Sequence, residues 1–306
     1  MDENETSMCG IVGFLDKTKN KDGISVGRIV LQMLSALGAR GPDSAGVALY
    51  GQKKDEGMVV QIKLGQQKEG TSIVEKLQEF GSISEVEIVA EYLRLVISLE
   101  IDTVSFLEVV ESLDQGIEVV SLGAQLEVVK QVGTPQNLES TYSISRFTGT
   151  HGLGHTRLST ESRVDLSHSQ PFWAYGYADL AIVHNGHITN YHTMRRLYEQ
   201  RGIRFHTEND SEIIGIYFAD QLSKGKLLQE VLEASLVDFD GSFSYLVSTP
   251  DSIGLAKDPF AFKPLLFTET DDFVAIATEE VAIRSVFSGS YTVRELQSKE
   301  IRVWQK

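Results

Sequence analysis

From residue 152 onward, short apolar runs of strand length alternate with longer stretches of helical period, and this pattern constrains the fold more than any other feature of the chain. The strand-like runs are 152–156, 180–183, 242–248, 265–268, 273–278 and 301–304; helical spacing covers 189–201, 209–222 and 227–237. Strands clustered in this way favour antiparallel sheets covered by helices, an α+β arrangement. Near the other end, Cys9-Gly10-Ile11-Val12-Gly13-Phe14 reads as a short buried strand whose two glycines allow close backbone approach. Val26, Ile29, Val30, Met33, Leu34 and Leu37 make one face of a helix ended by Gly38. The turn-rich Arg40-Gly41-Pro42-Asp43-Ser44 follows, and a strand begins at 47–50.

Residues 71–140 differ in composition. Thirteen Asp and Glu stand there against Lys76, Arg94 and Lys130, so the segment carries about ten of the chain's fifteen excess negative charges. Ile73, Val74 and Leu77, and then Val86, Val89, Leu93, Val96 and Ile97, have spacings that predict helices, with Gly116, Gly123 and Gly133-Thr134-Pro135 as punctuation. The expectation is an acidic, helical insert over about 65–147, packed on one edge of the fold. Its charge makes it a candidate docking face or a solvated excrescence.

Composition excludes several functions. A net charge of −15 opposes nucleic-acid binding, which needs clustered cations. One cysteine cannot form an internal disulfide, a Cys-rich zinc site or an iron–sulfur cluster. No apolar stretch approaches the ~20 residues of a membrane span, and the opening MDENETS is unlike a secretory signal, so the expected compartment is the cytoplasm.

A lone cysteine is most often a buried apolar residue. The surroundings of Cys9 argue otherwise. Met8-Cys9-Gly10-Ile11-Val12-Gly13-Phe14 closely resembles the N-terminus of class II glutamine amidotransferases, which are N-terminal-nucleophile (Ntn) hydrolases. Further resemblances follow in the family's order: Arg40-Gly41-Pro42-Asp43-Ser44-Ala45-Gly46, Gly154-His155-Thr156-Arg157 running on to Thr160, Gln170-Pro171-Phe172, His184-Asn185-Gly186, Asp210-Ser211-Glu212, and Lys257-Asp258-Pro259-Phe260 through Pro264-Leu265. The resemblance covers the chain apart from 1–8 and roughly 65–147.

The family likeness implies a four-layer αββα sandwich of two mainly antiparallel sheets. It implies that the Cys9 thiol attacks the glutamine side-chain amide while the α-amine of the same residue serves as base, directly or through water. An α-amine titrates near ~7.7–8.0, so no histidine is needed. The Asn185 side chain and the Gly186 N–H would form the oxyanion hole. Arg157 would clamp the substrate carboxylate and Asp210 its ammonium, with contacts from Thr160. The plainer reading of Asp210 is a helix cap or first-turn acid, and that of His184, which is retained, a packed histidine ending a strand. Leu158 and Glu161 depart from the aromatic and His found in some members.

The free-amine mechanism fails while residues 1–8 stay attached to Cys9. They are expected to be a propeptide or the product of an upstream start, with the amidotransferase domain at 9–306. No phosphoribosyl-pyrophosphate, sugar-isomerase or ATP-pyrophosphatase motif is found, so the ammonia acceptor is expected on another chain. The acidic insert and Gln-Pro-Phe sequence resemble GlxB-type subunits of glutamate synthase and N-methylglutamate synthase. Flavin and iron–sulfur groups are then expected on the partner subunits, with no cofactor or metal on this chain. Two alternatives remain, a glutamine-sensing subunit without hydrolysis and a gamma-glutamyl hydrolase.

Overall fold

The structure is a computed structural model that describes residues 9–18, 24–38, 41–65, 70–158 and 165–306. Its centre is a seven-stranded sheet ordered Arg294–Glu295, Leu266–Glu269, Phe273–Ala277, Gly10–Asp16, His151–Arg157, Ser44–Tyr50, Leu126–Val132. Every pairing in it is antiparallel. The three strands Gly10–Asp16, His151–Arg157 and Ser44–Tyr50 are buried along their whole length, which is why they read as unbroken apolar or small-residue runs rather than alternating ones.

A five-stranded antiparallel sheet lies against it, ordered Ile301–Gln305, Ser252–Lys257, Gly241–Thr249, Ala181–Ile188, Phe172–Trp173. Ile11, Leu15 and Leu153 from the first sheet and Val183, Leu246 and Leu255 from the second share one apolar cluster between the sheets. Gly13 packs closely here: a Cβ on it would lie 2.8 Å from Leu246 Cδ1 and would displace that side-chain end. The outer face of the first sheet, with Val12, Phe14 and Val47, is covered by Val26–Ala36 and Glu280–Val286. Tyr191–Gln200, Asp210–Ser223 and Leu228–Asp238 cover the second through Ile182, Tyr245 and Val247. The result is the expected four-layer αββα sandwich, with helices where helical spacing placed them.

The 65–147 region requires a correction. The segment expected to be helical through Val86, Val89, Leu93, Val96 and Ile97 is a hairpin, Gly81–Val89 and Tyr92–Leu99, turning at Ala90 with φ 52°. The residues 86, 88, 89, 96 and 97 are all β-branched and fit a pleated surface better than a helix, so the helical spacing there was fortuitous. With Met58–Lys63 and Glu118–Gly123 the hairpin forms a third, four-stranded antiparallel sheet. Gly70–Leu77, Thr103–Ser112 and Pro135–Tyr142 are helices, the first as expected. The chain then re-enters the sandwich as Leu126–Val132, an edge strand of the seven-stranded sheet. That return is held by the buried Asp179 carboxylate, which accepts the N–H groups of Ala124, Gln125 and Leu126 at 2.8, 2.9 and 2.8 Å. Val60, Leu95, Phe106 and Leu122 of this layer belong to the same apolar cluster as Ile11 and Leu246.

At Gly46 the central sheet meets the segment leading into the Phe172–Trp173 strand: an added Cβ would stand 2.2 Å from the Gln170 carbonyl oxygen. Gly46→Ala is expected to destabilise the protein by about 1–3 kcal/mol through this overpacking. A urea midpoint equal to that of the wild type would contradict the close approach.

Candidate active site

Cys9 sits at the entry to the central strand Gly10–Asp16, partly buried. Its neighbour across the sheets is Asn185, 176 residues away, which lies within the strand Ala181–Ile188 rather than in a turn. Asn185 is 5% exposed and its Nδ2 donates to the Cys9 carbonyl oxygen at 3.1 Å. One residue on, Gly186 has φ 127°, and a Cβ there would lie 2.1 Å from the Ser242 carbonyl oxygen. Gly186 is the register partner of Phe243. Phe243 gives its N–H to Asp258 Oδ2 at 2.9 Å and accepts the Asp258 N–H at 3.0 Å, so its polar groups face the other side. The Gly186 amide is thereby left out of that ladder.

Among the described residues the thiol's one hydrogen-bond partner is the Leu158 carbonyl oxygen, 4.0 Å from Sγ. Burial pushes the Cys9 thiol above its ordinary titration range, against the opposing influence of backbone hydrogen bonding and of the Arg157 and Lys263 charges. No imidazole activates it.

Arg157 ends the strand His151–Arg157 and is 7% exposed, which sets aside a surface ion pair. Its Nη1 donates to the His168 carbonyl oxygen at 2.8 Å. Asp210 is the first residue of the helix Asp210–Ser223, whose cap is Asn209. Its Oδ2 accepts the Ile188 N–H at 2.8 Å, which fixes the carboxylate beside the strand that carries Asn185 and Gly186. Thus Asn185 reaches Cys9 from the strand that also carries Gly186, Arg157 ends the strand paired with the one that Cys9 leads into, and Asp210 is bonded to the strand of Asn185 and Gly186. Thr160, Arg40 and Glu161 lie outside the described residues.

His184 is packed, as expected. Its Nδ1 and the Ser211 hydroxyl are 2.8 Å apart, and burial pushes its pKa down. His155, two residues before Arg157, is pushed down to about 3 by burial and by the Arg157 charge, so it stays neutral. Sequence reasoning assigned no role to several groups that support the site. Gln170 brackets His184, its Oε1 accepting the His184 N–H at 2.6 Å and its Nε2 donating to the His184 carbonyl at 2.9 Å. Lys263 contributes positive potential at both Cys9 and His184. Its place in the Asp-Pro-x-x-x-Lys-Pro-Leu segment was the available signal; for Ser167 and His168 there was none.

A glutamine amidotransferase domain model matches residues 155–285. A Methanothermobacter thermautotrophicus protein provisionally named as a glutamine amidotransferase is 39% identical over 315 residues, spanning 97% of this chain and 100% of the relative. The glutamine amidotransferase-like protein GlxB of Rhizobium meliloti is 32% identical, spanning 90% and 91%. Among solved structures, the glutamine phosphoribosylpyrophosphate amidotransferase of B. subtilis, complexed with ADP and GMP, superposes with a TM-score of 0.64 at 18% identity, over 97% of this chain but 47% of that one. That likeness shows the fold.

Alkylation of Cys9 by iodoacetamide in protein retaining Met1 is expected to be slow at pH 7 and to accelerate only at a pH above the ordinary cysteine range, because burial disfavours the thiolate. A midpoint at or below that of a free cysteine would contradict this environment.

Proposed function

The chain belongs to the class II glutamine amidotransferases, and we propose that it hydrolyses L-glutamine through Cys9 acting as residue one of a processed chain, delivering ammonia to a synthase subunit in trans. The observation that supports the reading is the Asn185 Nδ2 contact with the Cys9 carbonyl, because it brings a side-chain amide donor to the residue that bears the thiol.

In this reading the Cys9 Sγ attacks the glutamine Cδ, and the thiol proton passes to the neutral α-amine of Cys9. The carbonyl oxygen becomes an oxyanion held by Asn185 Nδ2 and the Gly186 N–H, where one donor is worth on the order of 3 kcal/mol. Collapse of the tetrahedral adduct expels ammonia, which takes the proton from the amine, and leaves a glutamyl thioester. Water, deprotonated by the same amine, then releases glutamate and restores the thiol. The raised pKa of the buried thiol supports the need for an adjacent base. Arg157 and Asp210 would hold the carboxylate and ammonium of the substrate; the burial of Arg157 beside the strand that starts after Cys9, and the hydrogen bond of Asp210 to the strand that carries Asn185, support that assignment. Thr160 is carried as a further substrate contact on motif position alone.

The proposed acceptor is of the glutamate synthase or N-methylglutamate synthase kind, as the sequence resemblance to GlxB-type subunits implies; a relative that carries the GlxB name is 32% identical. Flavin and iron–sulfur groups would then reside on partner subunits and none on this chain, with the cytoplasm as the compartment. No helix among the described residues is long and apolar enough to cross a membrane.

Active protein is expected to begin at Cys9 by N-terminal sequencing, and its kcat/KM to rise with pH through ~7.7–8.0 as the α-amine loses its proton. Cys9→Ala abolishes ammonia release, and Asn185→Ala lowers kcat by ~10²–10³. A full-rate glutaminase that retains Met1 would sink the free-amine mechanism. Binding of glutamine without ammonia release by the processed protein would instead favour a sensing subunit.

A further inference from the structure

The segment 165–170 is tied on one side to the third sheet and on the other to the catalytic strand. Ser167 Oγ donates to Glu118 Oε2 at 2.5 Å and accepts from Lys63 Nζ at 2.8 Å. Lys63 and Glu118 are themselves register partners at the ends of two neighbouring strands, with Nζ 3.3 Å from the same carboxylate oxygen. Burial acts to raise the Glu118 pKa, but the Lys130 and Lys63 charges outweigh it and keep the group ionised. At the far end of the segment, Gln170 makes its two hydrogen bonds to the His184 backbone. Between these anchors the His168 carbonyl accepts Arg157 Nη1 at 2.8 Å and Asn209 Nδ2 at 3.4 Å. His168 is held in turn by Asp165 Oδ1, which is 2.9 Å from its backbone N and 2.7 Å from its Nδ1.

A guanidinium matches a carboxylate bidentately only when its plane is set, and here one of its donors is committed to a carbonyl whose position depends on the preceding residue. We propose that Ser167, gripped by the Lys63–Glu118 pair, is a positioning residue that sets Arg157 for the substrate carboxylate. The third sheet thereby takes part in glutamine recognition. This rests on the reading of Arg157 as the carboxylate clamp. The route is short and contiguous: strand ends of the third sheet, the Ser167 hydroxyl, the His168 carbonyl, the guanidinium. Proximity alone does not establish coupling, so the test is a double-mutant cycle.

Glutamine is titrated calorimetrically into Cys9→Ala protein, which cannot turn it over. Adding Ser167→Ala is expected to weaken binding ~10-fold, adding Ser167→Thr, which keeps the hydroxyl, to leave it within ~2-fold, and adding Arg157→Ala to weaken it most. Ser167→Ala combined with Arg157→Ala binds no worse than Arg157→Ala alone. A general loss of structure would not show this non-additivity or the threonine rescue. If Ser167→Ala does not fold, Lys63→Met replaces it in the same cycle. Unchanged affinity on cutting the clamp, or additivity with Arg157→Ala, overturns the proposal while leaving Arg157 as the substrate clamp. Affinity indifferent to Arg157→Ala overturns that assignment and the proposal together.

Discussion

The hydrogen bond from Asn185 Nδ2 to the Cys9 carbonyl joins the two sheets at the candidate site. It depends on a close approach of the two sheets, which Gly46 permits: a Cβ there would meet the Gln170 carbonyl oxygen. The buried core between the sheets then fixes the strand ends relative to one another.

Around this junction the polar groups are supported from behind. Gln170 brackets the His184 backbone, His184 is joined to Ser211, and the Ser211 helix start carries Asp210, whose carboxylate takes the Ile188 N–H. The strand bearing Asn185 and Gly186 is therefore held on both sides of the two residues. Glu212 serves the same framework, accepting the His206 and Thr207 N–H groups at 2.7 and 2.9 Å, so the Asp-Ser-Glu run divides its labour between site and scaffold. Burial pushes the pKa of both His155 and His184 down, so neither adds positive charge beside the candidate site.

Much of the sandwich could be read from periodicity. The runs at 242–248, 273–278 and 301–304 are strands and 209–222 is a helix, because burial on one or both faces forces a matching apolar pattern. The third layer could not be read in the same way. The apolar spacing of Val86 to Ile97 fits a helix as well as a hairpin, and the β-branched residues together with pairing to Met58–Lys63 select the hairpin. The strand Leu126–Val132 was hidden for a related reason, since its partner Ser44–Tyr50 lies some eighty residues upstream. Thr160 lies outside the described residues, and its part in the site rests on motif order.

By itself the sequence determined which groups are candidates for the chemistry: one thiol near a glycine-rich strand start, an Asn-Gly pair ending an apolar run, an arginine and an aspartate in ordered motifs. These are local signals, set by residue type and short spacing. The tertiary structure decided who supports them. Ser167 meets Glu118 and Lys63 across 49 and 104 residues, and no local pattern specifies such a contact, because it arises from where the packed sheets place the strand ends. Cys9 is a candidate nucleophile by its neighbours in sequence, and its environment comes from Asn185, Leu158 and Arg157, its neighbours in space.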